Sequence, residues 1–295
     1  MYLSDLKEKE RFDLIVFHGR GQGGGEKVSG ILCELMECQG ASHKKPMKYL
    51  VRKIISERFK SILYTSGPRD LPLLFVSLLL KRNFSIYVQV PYLRSLTLRK
   101  PIFSLGVCCY YIFINLCQCK VYANSSNSSF GFRNHKILLP LKSRSVKSKG
   151  LAISKRPIIY IVGRFNIELG RGSRNISGLI QIIQGLSARL KGQIELRHYG
   201  SICPHYLKEL SKLNKVNFHT LGYKSNWYEE ARGIFLFNSN YEGFGLAAFE
   251  ASMAGNPVYV NDRFPRELKK EAPSIYFYDS VENCISMMLE NFNER

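Results

Sequence analysis

Carboxylates are scarce where this chain is most basic. Residues 51–200 carry 25 lysines and arginines against 4 aspartates and glutamates, whereas residues 1–50 stand at 8 against 7 and residues 201–295 at 10 against 12. The net charge of +20 therefore resides in the middle block. Such an uneven spread points to an anionic partner rather than to plain solubility: nucleic acid, an anionic membrane or a phosphorylated substrate. No groove-reading or base-stacking motif interleaves the block, so nucleic acid is not expected. Paired cysteine spacing is missing too. Of 8 cysteines, Cys108 and Cys109 are adjacent and Cys117 and Cys119 flank one residue, but none forms the C-x2-C of a zinc site. Most lie in apolar runs, where a thiol acts as a small hydrophobe, and a reducing, cytoplasmic compartment fits.

Long apolar runs are absent as well. The run Ile102–Cys117 falls short of the ~20 residues that cross a bilayer. It is expected to be a buried core helix, with an interfacial position as the alternative because Arg94, Arg99 and Lys100 lie beside it. Charges interrupt Met1 through Phe12, which does not read as a secretory leader. No D-x-D occurs, and no repeat or low-complexity tract. A hydrophobic content of 45% with 22% charged residues excludes a disordered chain.

What is present alternates. Leu14–Phe17, Ile62–Tyr64, Ser85–Val90, Lys120–Ala123 and Ile137–Leu139 read as strands, separated by helices over Glu26–Cys38, Met47–Phe59, Leu73–Leu80 and Ile102–Cys117. In the helix from Met47, Leu50, Val51, Ile54 and Ile55 are expected inward and Lys48, Arg52, Lys53 and Arg58 outward. The pattern restarts with strands at Ile158–Val162, Ile194–Tyr199, Val216–His219, Gly233–Phe237, Pro257–Val260 and Ile275–Tyr278. Helices follow at Ile176–Leu190, His205–Leu213, Asn226–Ala231 and Val281–Phe292. This predicts an α/β chain of two doubly wound, Rossmann-like parallel-sheet domains. Their expected extents are residues 1–145 and 157–295, joined by a polar, basic linker at 146–156, with the closing helix a candidate to return to the first domain.

Ser239 to Val258 is the segment richest in chemistry. Glu242 and Glu250 flank Gly243-Phe244-Gly245, which opens an apolar helix after a buried strand; Gly255 ends that helix. Free N–H groups at Phe244, Gly245 and Leu246, with the helix dipole behind them, make an anion site. Glu242 at its mouth and Glu250 on the helix can face one crevice. N–H groups for a diphosphate and carboxylates for hydroxyls suit a sugar nucleotide.

With Ala254-Gly255 and Pro257 in register, this segment resembles the E-x7-E signature of the retaining glycosyltransferases of family four. The resemblance implies the GT-B architecture, a nucleoside-diphosphate-sugar donor (UDP- or GDP-sugar) and no cofactor. Gly163-Arg164 and Arg174-Asn175 resemble the family's pair for the donor diphosphate. Arginine stands at 174 where lysine is usual, and the long loop between leaves Arg171 as a competitor. Two guanidinium forks would stabilise charge on the leaving group. Gly23-Gly24-Gly25-Glu26 resembles the family's G-G-x-E, whose glycines (Gly24 and Gly25 here) let backbone approach the donor. The histidine often found beside the sugar is missing near Tyr87–Tyr92; Gln89, Tyr92 or His18 could replace it.

The resemblance thus implies that Glu242 holds the donor sugar, that Gly163, Gly243, Phe244, Gly245 and Leu246 line the phosphates, and that Glu250 holds the ribose. The absent D-x-D implies metal-free catalysis by Arg164 and Arg174. The expected acceptor is a saccharide or a polyprenyl-diphosphate-linked sugar, in cell-surface polysaccharide assembly such as O-antigen or lipopolysaccharide. Lys48, Arg52, Lys53 and Arg58 predict salt-releasable attachment to an anionic membrane, which places the protein peripherally on the cytoplasmic face. The alternatives are a basic membrane- or nucleic-acid-binding protein without catalysis, and a sugar-nucleotide epimerase on the same fold.

Overall fold

The computed structural model describes residues 2–18, 24–96, 101–139, 157–165, 174–272 and 274–293. The chain divides into two units, Met1–Lys142 and Ser143–Arg295. The linker expected at 146–156 lies outside the described residues.

The first unit runs α1 (Leu3–Lys9), β1 (Leu14–Phe17), α2 (Gly24–Met36), β2 (Gln39–Ser42), α3 (Met47–Ser56), β3 (Ser61–Tyr64), α4 (Leu71–Leu79), β4 (Asn83–Val88), α5 (Pro101–Cys117), β5 (Lys120–Ala123), α6 (Ser126–Ser129) and β6 (His135–Ile137). All neighbouring strands pair in parallel, in the order β2-β1-β3-β4-β5-β6. β1 reads Leu-Ile-Val-Phe and is buried throughout, as befits a parallel strand covered on both faces. The connections β2 to β3, β3 to β4 and β4 to β5 step the same way along the sheet. Right-handed crossovers therefore put α3, α4 and α5 side by side on one face. Their inward residues share one core: Leu50 and Ile54, Leu73 and Leu74, Val107, Tyr110 and Ile114. α2 steps the other way and meets α1 on the opposite face.

Four details depart from the sequence expectation. α1 forms despite its charges, because Leu3 and Leu6 are buried and the Leu3 N–H donates to the Leu139 carbonyl. β2 reads Gln-Gly-Ala-Ser, with no β-branched residue; it is an edge strand held by its register with β1, and only Ala41 is buried. In α3, Lys53 turns back to Glu57 and Gln39 with its ammonium over the Phe59 ring, while Ile55 stands exposed. Finally, α5 is buried on one side only: Ile102 is 86% and Leu116 76% exposed.

The second unit runs β7 (Ile158–Val162), α7 (Ile176–Arg189), β8 (Ile194–Tyr199), α8 (Pro204–Ser211), β9 (Val216–Gly222), α9 (Trp227–Glu230), β10 (Ile234–Phe237), α10 (Leu246–Met253), β11 (Val258–Asn261), α11 (Glu267–Glu271), β12 (Ile275–Tyr278) and α12 (Val281–Asn293). Its parallel order is β12-β11-β10-β7-β8-β9. The closing helix α12 packs within its own unit, on α7. Cys284, Ile285 and Met288 share a core with Ile182, Ile183 and Leu186, and a Cβ at Gly185 would lie 2.3 Å from Ile285 Cδ1.

This order places a reversal between β7 and β10, from which the chain winds outward in both directions. Open parallel sheets bind ligands outside the carboxyl ends of their strands at such a switch point. In the first sheet the reversal lies at β1 and β3.

Candidate functional site

At the carboxyl end of β10 the chain enters a polar brace. Asn261, at the end of β11, donates from Nδ2 to Asn238 Oδ1 (3.0 Å) and to the Ser239 carbonyl (2.7 Å), and its Oδ1 accepts from the Ser239 N–H. All three residues are buried. They fix the start of the loop that carries Glu242, because buried polar groups hold their geometry only when paired.

Arg174 meets this loop from the other side of the switch point. Its backbone bridges Ser239 in antiparallel fashion, and the Asn175 N–H donates to the Asn238 carbonyl at 2.9 Å. The Asn175 side chain caps α7 by accepting from the Gly178 N–H. The Arg174 guanidinium donates through Nη1 to Ser239 Oγ at 2.9 Å and to Glu242 Oε2 at 3.4 Å, and it lies over the Phe237 ring. Both partners of the Arg174–Glu242 pair are about four-fifths buried, with side-chain exposures of 19% and 22%.

Gly163, one residue past β7, lies beneath this arginine. A Cβ there would stand 2.9 Å from Arg174 Nε, and its φ of +143° suits glycine. The Gly163 carbonyl accepts from His198 Nε2 at 2.9 Å. The structure thus brings Gly163, Arg174 and Glu242 together. Arg164 is exposed on the following residue, and Arg171 lies outside the described residues.

Gly243 and Phe244 lead buried into α10, where Gly245 occupies the N-cap with φ +86°. Phe264 packs so close that a Cβ on Gly245 would stand 2.7 Å from its ring. Among the described residues, no group accepts from the N–H groups of Phe244, Gly245 or Leu246. Three open N–H groups at a helix start are the arrangement that attracts anions. Glu250 follows on α10, partly buried.

In the first unit, Gly24 and Gly25 are the first residues of α2, after the carboxyl end of β1; Gly23 lies outside the described residues. His18 is paired with Arg69, 2.8 Å from Nδ1 to Nη1. Gln89 is buried and reaches Ser29 Oγ at 3.4 Å, and Tyr92 packs against Gly67.

Residues 143–271 match the family model described as glycosyl transferases group 1. The match falls on the second unit. The chain is similar in structure to HepE of Anabaena in complex with UDP-glucose, with a TM-score of 0.68, 14% identity and coverage of 96% of this chain and 91% of that one. It is also similar to a glycosyltransferase from Rickettsia africae (TM-score 0.63, 13% identity, 96% and 89% covered). A third is the lipopolysaccharide outer core galactosyltransferase WaaB, apo form (TM-score 0.60, 15% identity, 93% and 89% covered). The fold is GT-B. No curated protein shows significant sequence similarity to the chain.

Two histidines of this GT-B chain have partners distant in sequence. In the first unit, His43 Nε2 lies 2.6 Å from Oδ1 of the fully buried Asp70, whose other oxygen accepts from the Ser66 N–H. Burial raises the Asp70 carboxyl, and the His43 contact opposes that rise. The two residues are far apart in sequence, so no local pattern announces the pair. In the second unit, His198 is buried, with Nε2 committed to Gly163 and Nδ1 left without a partner.

Burial lowers the His198 imidazole, partly offset by the Gly163 carbonyl. A proton on Nδ1 would be buried and unpaired, so the fold holds the neutral ring. The unfolded chain binds that proton below about pH 6.5. His198 therefore contributes stability that is complete above this value and lost as pH falls below it, down to the depressed folded value. The expected slope is at most ~1.4 kcal/mol per pH unit. Urea unfolding of wild type and His198→Asn from pH 7.5 to about 5 checks this: the wild-type slope exceeds the variant's, and equal slopes would sink the assignment.

Proposed function

We propose that this protein is a retaining, metal-independent glycosyltransferase of the family-four type. It moves a hexosyl or N-acetylhexosaminyl group from a UDP- or GDP-sugar to a saccharide or polyprenyl-diphosphate-linked acceptor. Its setting is cell-surface polysaccharide or lipopolysaccharide assembly at the cytoplasmic face of the membrane. The observation that carries the reading is the meeting of Arg174, Glu242 and the open N–H groups of Phe244, Gly245 and Leu246 at the β7/β10 switch point. Further support comes from HepE, a protein of this fold in complex with UDP-glucose.

The roles follow from charge. A diphosphate takes the open N–H groups and competes for Arg174, which turns from Glu242 toward the phosphates. Glu242 is thereby released to accept from hydroxyls of the donor sugar, and Glu250 accepts from the ribose. Gly163 and Gly243 give the phosphates close access to backbone. In the reaction the bond from the anomeric carbon to the β-phosphate oxygen breaks. The acceptor hydroxyl oxygen bonds the same face of that carbon, and its proton passes to the departing phosphate oxygen. The products are a glycoside and a nucleoside diphosphate. Arg174 and Arg164 stabilise the growing negative charge, so no side chain need act as nucleophile.

The test is nucleotide binding. Glu250→Ala is expected to weaken the affinity for UDP or GDP, whichever binds, by about 1–3 kcal/mol through lost charged hydrogen bonds. Calorimetry that finds unchanged affinity in a folded variant would remove Glu250 from the site. A wild-type protein that binds no nucleoside diphosphate or its sugars would overturn the reading altogether.

A further inference from the structure

The helix layer α3–α4–α5 has an unusual outer face. None of the three helices contains an aspartate or glutamate. Their inward residues fill the core, yet Ile55, Leu79, Ile102, Leu105, Ile112 and Leu116 are each more than half exposed. On α5 the exposed residues Ile102, Leu105, Cys109, Ile112 and Leu116 recur at three-four spacing along one outward stripe, with Pro101, Phe103 and Cys108 exposed beside it. Asn115, the polar residue beside that stripe, is turned away: its amide serves the Gly131 carbonyl and the Arg133 N–H. Soluble monomers rarely expose an apolar patch spread over three helices. No helix of the described residues is long and apolar enough to cross a membrane.

Basic residues border this face on the α3 and α4 side. Lys48 and Arg52 lie on α3, Arg58 and Lys60 follow it, and Lys81 follows α4; all five are exposed. Among the described residues none of these five side-chain cations pairs with a carboxylate; the Lys60 backbone N–H donates to Asp13 Oδ2 at 2.6 Å. Of the strip Arg94, Arg99 and Lys100, the described residues include only the Arg94 backbone.

We infer that the outer face of α3–α4–α5 docks on an anionic lipid bilayer, with its apolar side chains entering the interface and its basic rim at the headgroups. Charge decides between occupants. A second copy meeting this face would set five unpaired cations against five more, whereas anionic headgroups neutralise them. The face specifies how the membrane is held, and this revises the salt-releasable attachment expected from the basic residues alone. Each basic residue near the surface strengthens attachment about fivefold, and salt screens that gain. The apolar contribution is not screened. Attachment should therefore weaken in high salt without vanishing. The docking does not depend on what the second unit transfers.

The experiment is flotation of the full chain with phosphatidylcholine vesicles and with vesicles that also contain phosphatidylglycerol, at low and high salt. Two variants join the wild type: Leu105→Ser with Ile112→Ser and Leu116→Ser, and Lys48→Ser with Arg52→Ser, Arg58→Ser and Lys81→Ser. All seven positions are exposed, and thermal unfolding checks that both variants fold. Wild type is expected to bind the phosphatidylglycerol vesicles at least tenfold better than neutral ones and to keep a measurable bound fraction in high salt. The apolar variant should lose that salt-resistant fraction, and the basic variant should lose the preference for anionic lipid. The inference is overturned by wild type that ignores phosphatidylglycerol vesicles, or by an apolar variant that binds like wild type at both salts. It is equally overturned by light scattering that finds a lipid-free dimer which the apolar variant dissociates. UDP and GDP binding, measured on the same samples, should be equal in all three proteins. Failure of nucleotide binding alone would count against the transferase reading and leave the docking standing.

Discussion

Exchange of Arg174 for alanine is expected to lower turnover by about 10²–10³-fold, the loss typical of removing one preorganised donor from a site of developing negative charge (~2.7–4 kcal/mol). Donor affinity should fall much less, because in the proposed reaction charge on the leaving diphosphate grows toward the transition state. The geometry singles out this arginine over its neighbours. Its guanidinium is held by Ser239 and the Phe237 ring above Gly163, so in the proposed reaction only its contact with Glu242 is exchanged for the diphosphate. Arg164, exposed to solvent, starts less ordered, and its replacement should cost less. Arg174→Lys keeps the charge but loses the fork, and an intermediate rate is expected. Kinetics of the alanine and lysine variants, with thermal midpoints to control for the lost Ser239 bond, decide the matter. Near-normal turnover in Arg174→Ala beside a collapse in Arg171→Ala would move the role to the latter.

Gly200→Ala is expected to destabilise the second unit by about 2–6 kcal/mol, the sum of ~1–3 for backbone strain and ~1–3 for overpacking. The φ of +127° at Gly200 is one that side chains avoid, and a Cβ there would stand 2.1 Å from the Gly163 carbonyl oxygen. Neither side can yield. The Gly200 N–H is tied to the Gly222 carbonyl, while the Gly163 N–H donates to Tyr199 and its carbonyl accepts from His198. Gly222 supplies the control: its φ is +66°, but a Cβ would meet nothing within 4 Å. Gly222→Ala should cost only the left-handed penalty, ~1–2 kcal/mol. The unfolding free energy in urea should therefore be lower for Gly200→Ala than for Gly222→Ala. If Gly200→Ala is no less stable than Gly222→Ala, Gly200 is not packed against Gly163 as described.

How much of this could be read beforehand depended on where each residue's partners lie. Strands such as Leu14–Phe17 and Ile234–Phe237 carry their burial in their own composition, and so does the alternation that makes both sheets parallel. The glycine turn before α10 was visible because a turn, a helix start and two carboxylates adjoin one another in sequence. β2 was invisible, since Gln-Gly-Ala-Ser becomes a strand only by pairing with β1. The outward side of α5 was misread because an apolar run looks the same whether one face or both are covered. Asn261 and the His43–Asp70 pair have partners distant in sequence, and no local spacing encodes them. Gly163 and Arg174 belonged to one site by resemblance, but that the arginine lies over the glycine is a property of the folded switch point.

That switch point also sets an order of events during synthesis. β7 occupies the middle of the second sheet, with β8 on one side and β10 on the other. β8 and β9 emerge soon after β7, but Ile234 lies 72 positions beyond Val162. At ~5–20 residues per second, the second edge of β7 waits roughly 4–14 s for its partner. For that interval an apolar strand, Ile-Ile-Tyr-Ile-Val, presents unpaired N–H and carbonyl groups to any other chain nearby. The seam on which Gly163, Arg174 and Glu242 converge is thus the last edge of β7 to close.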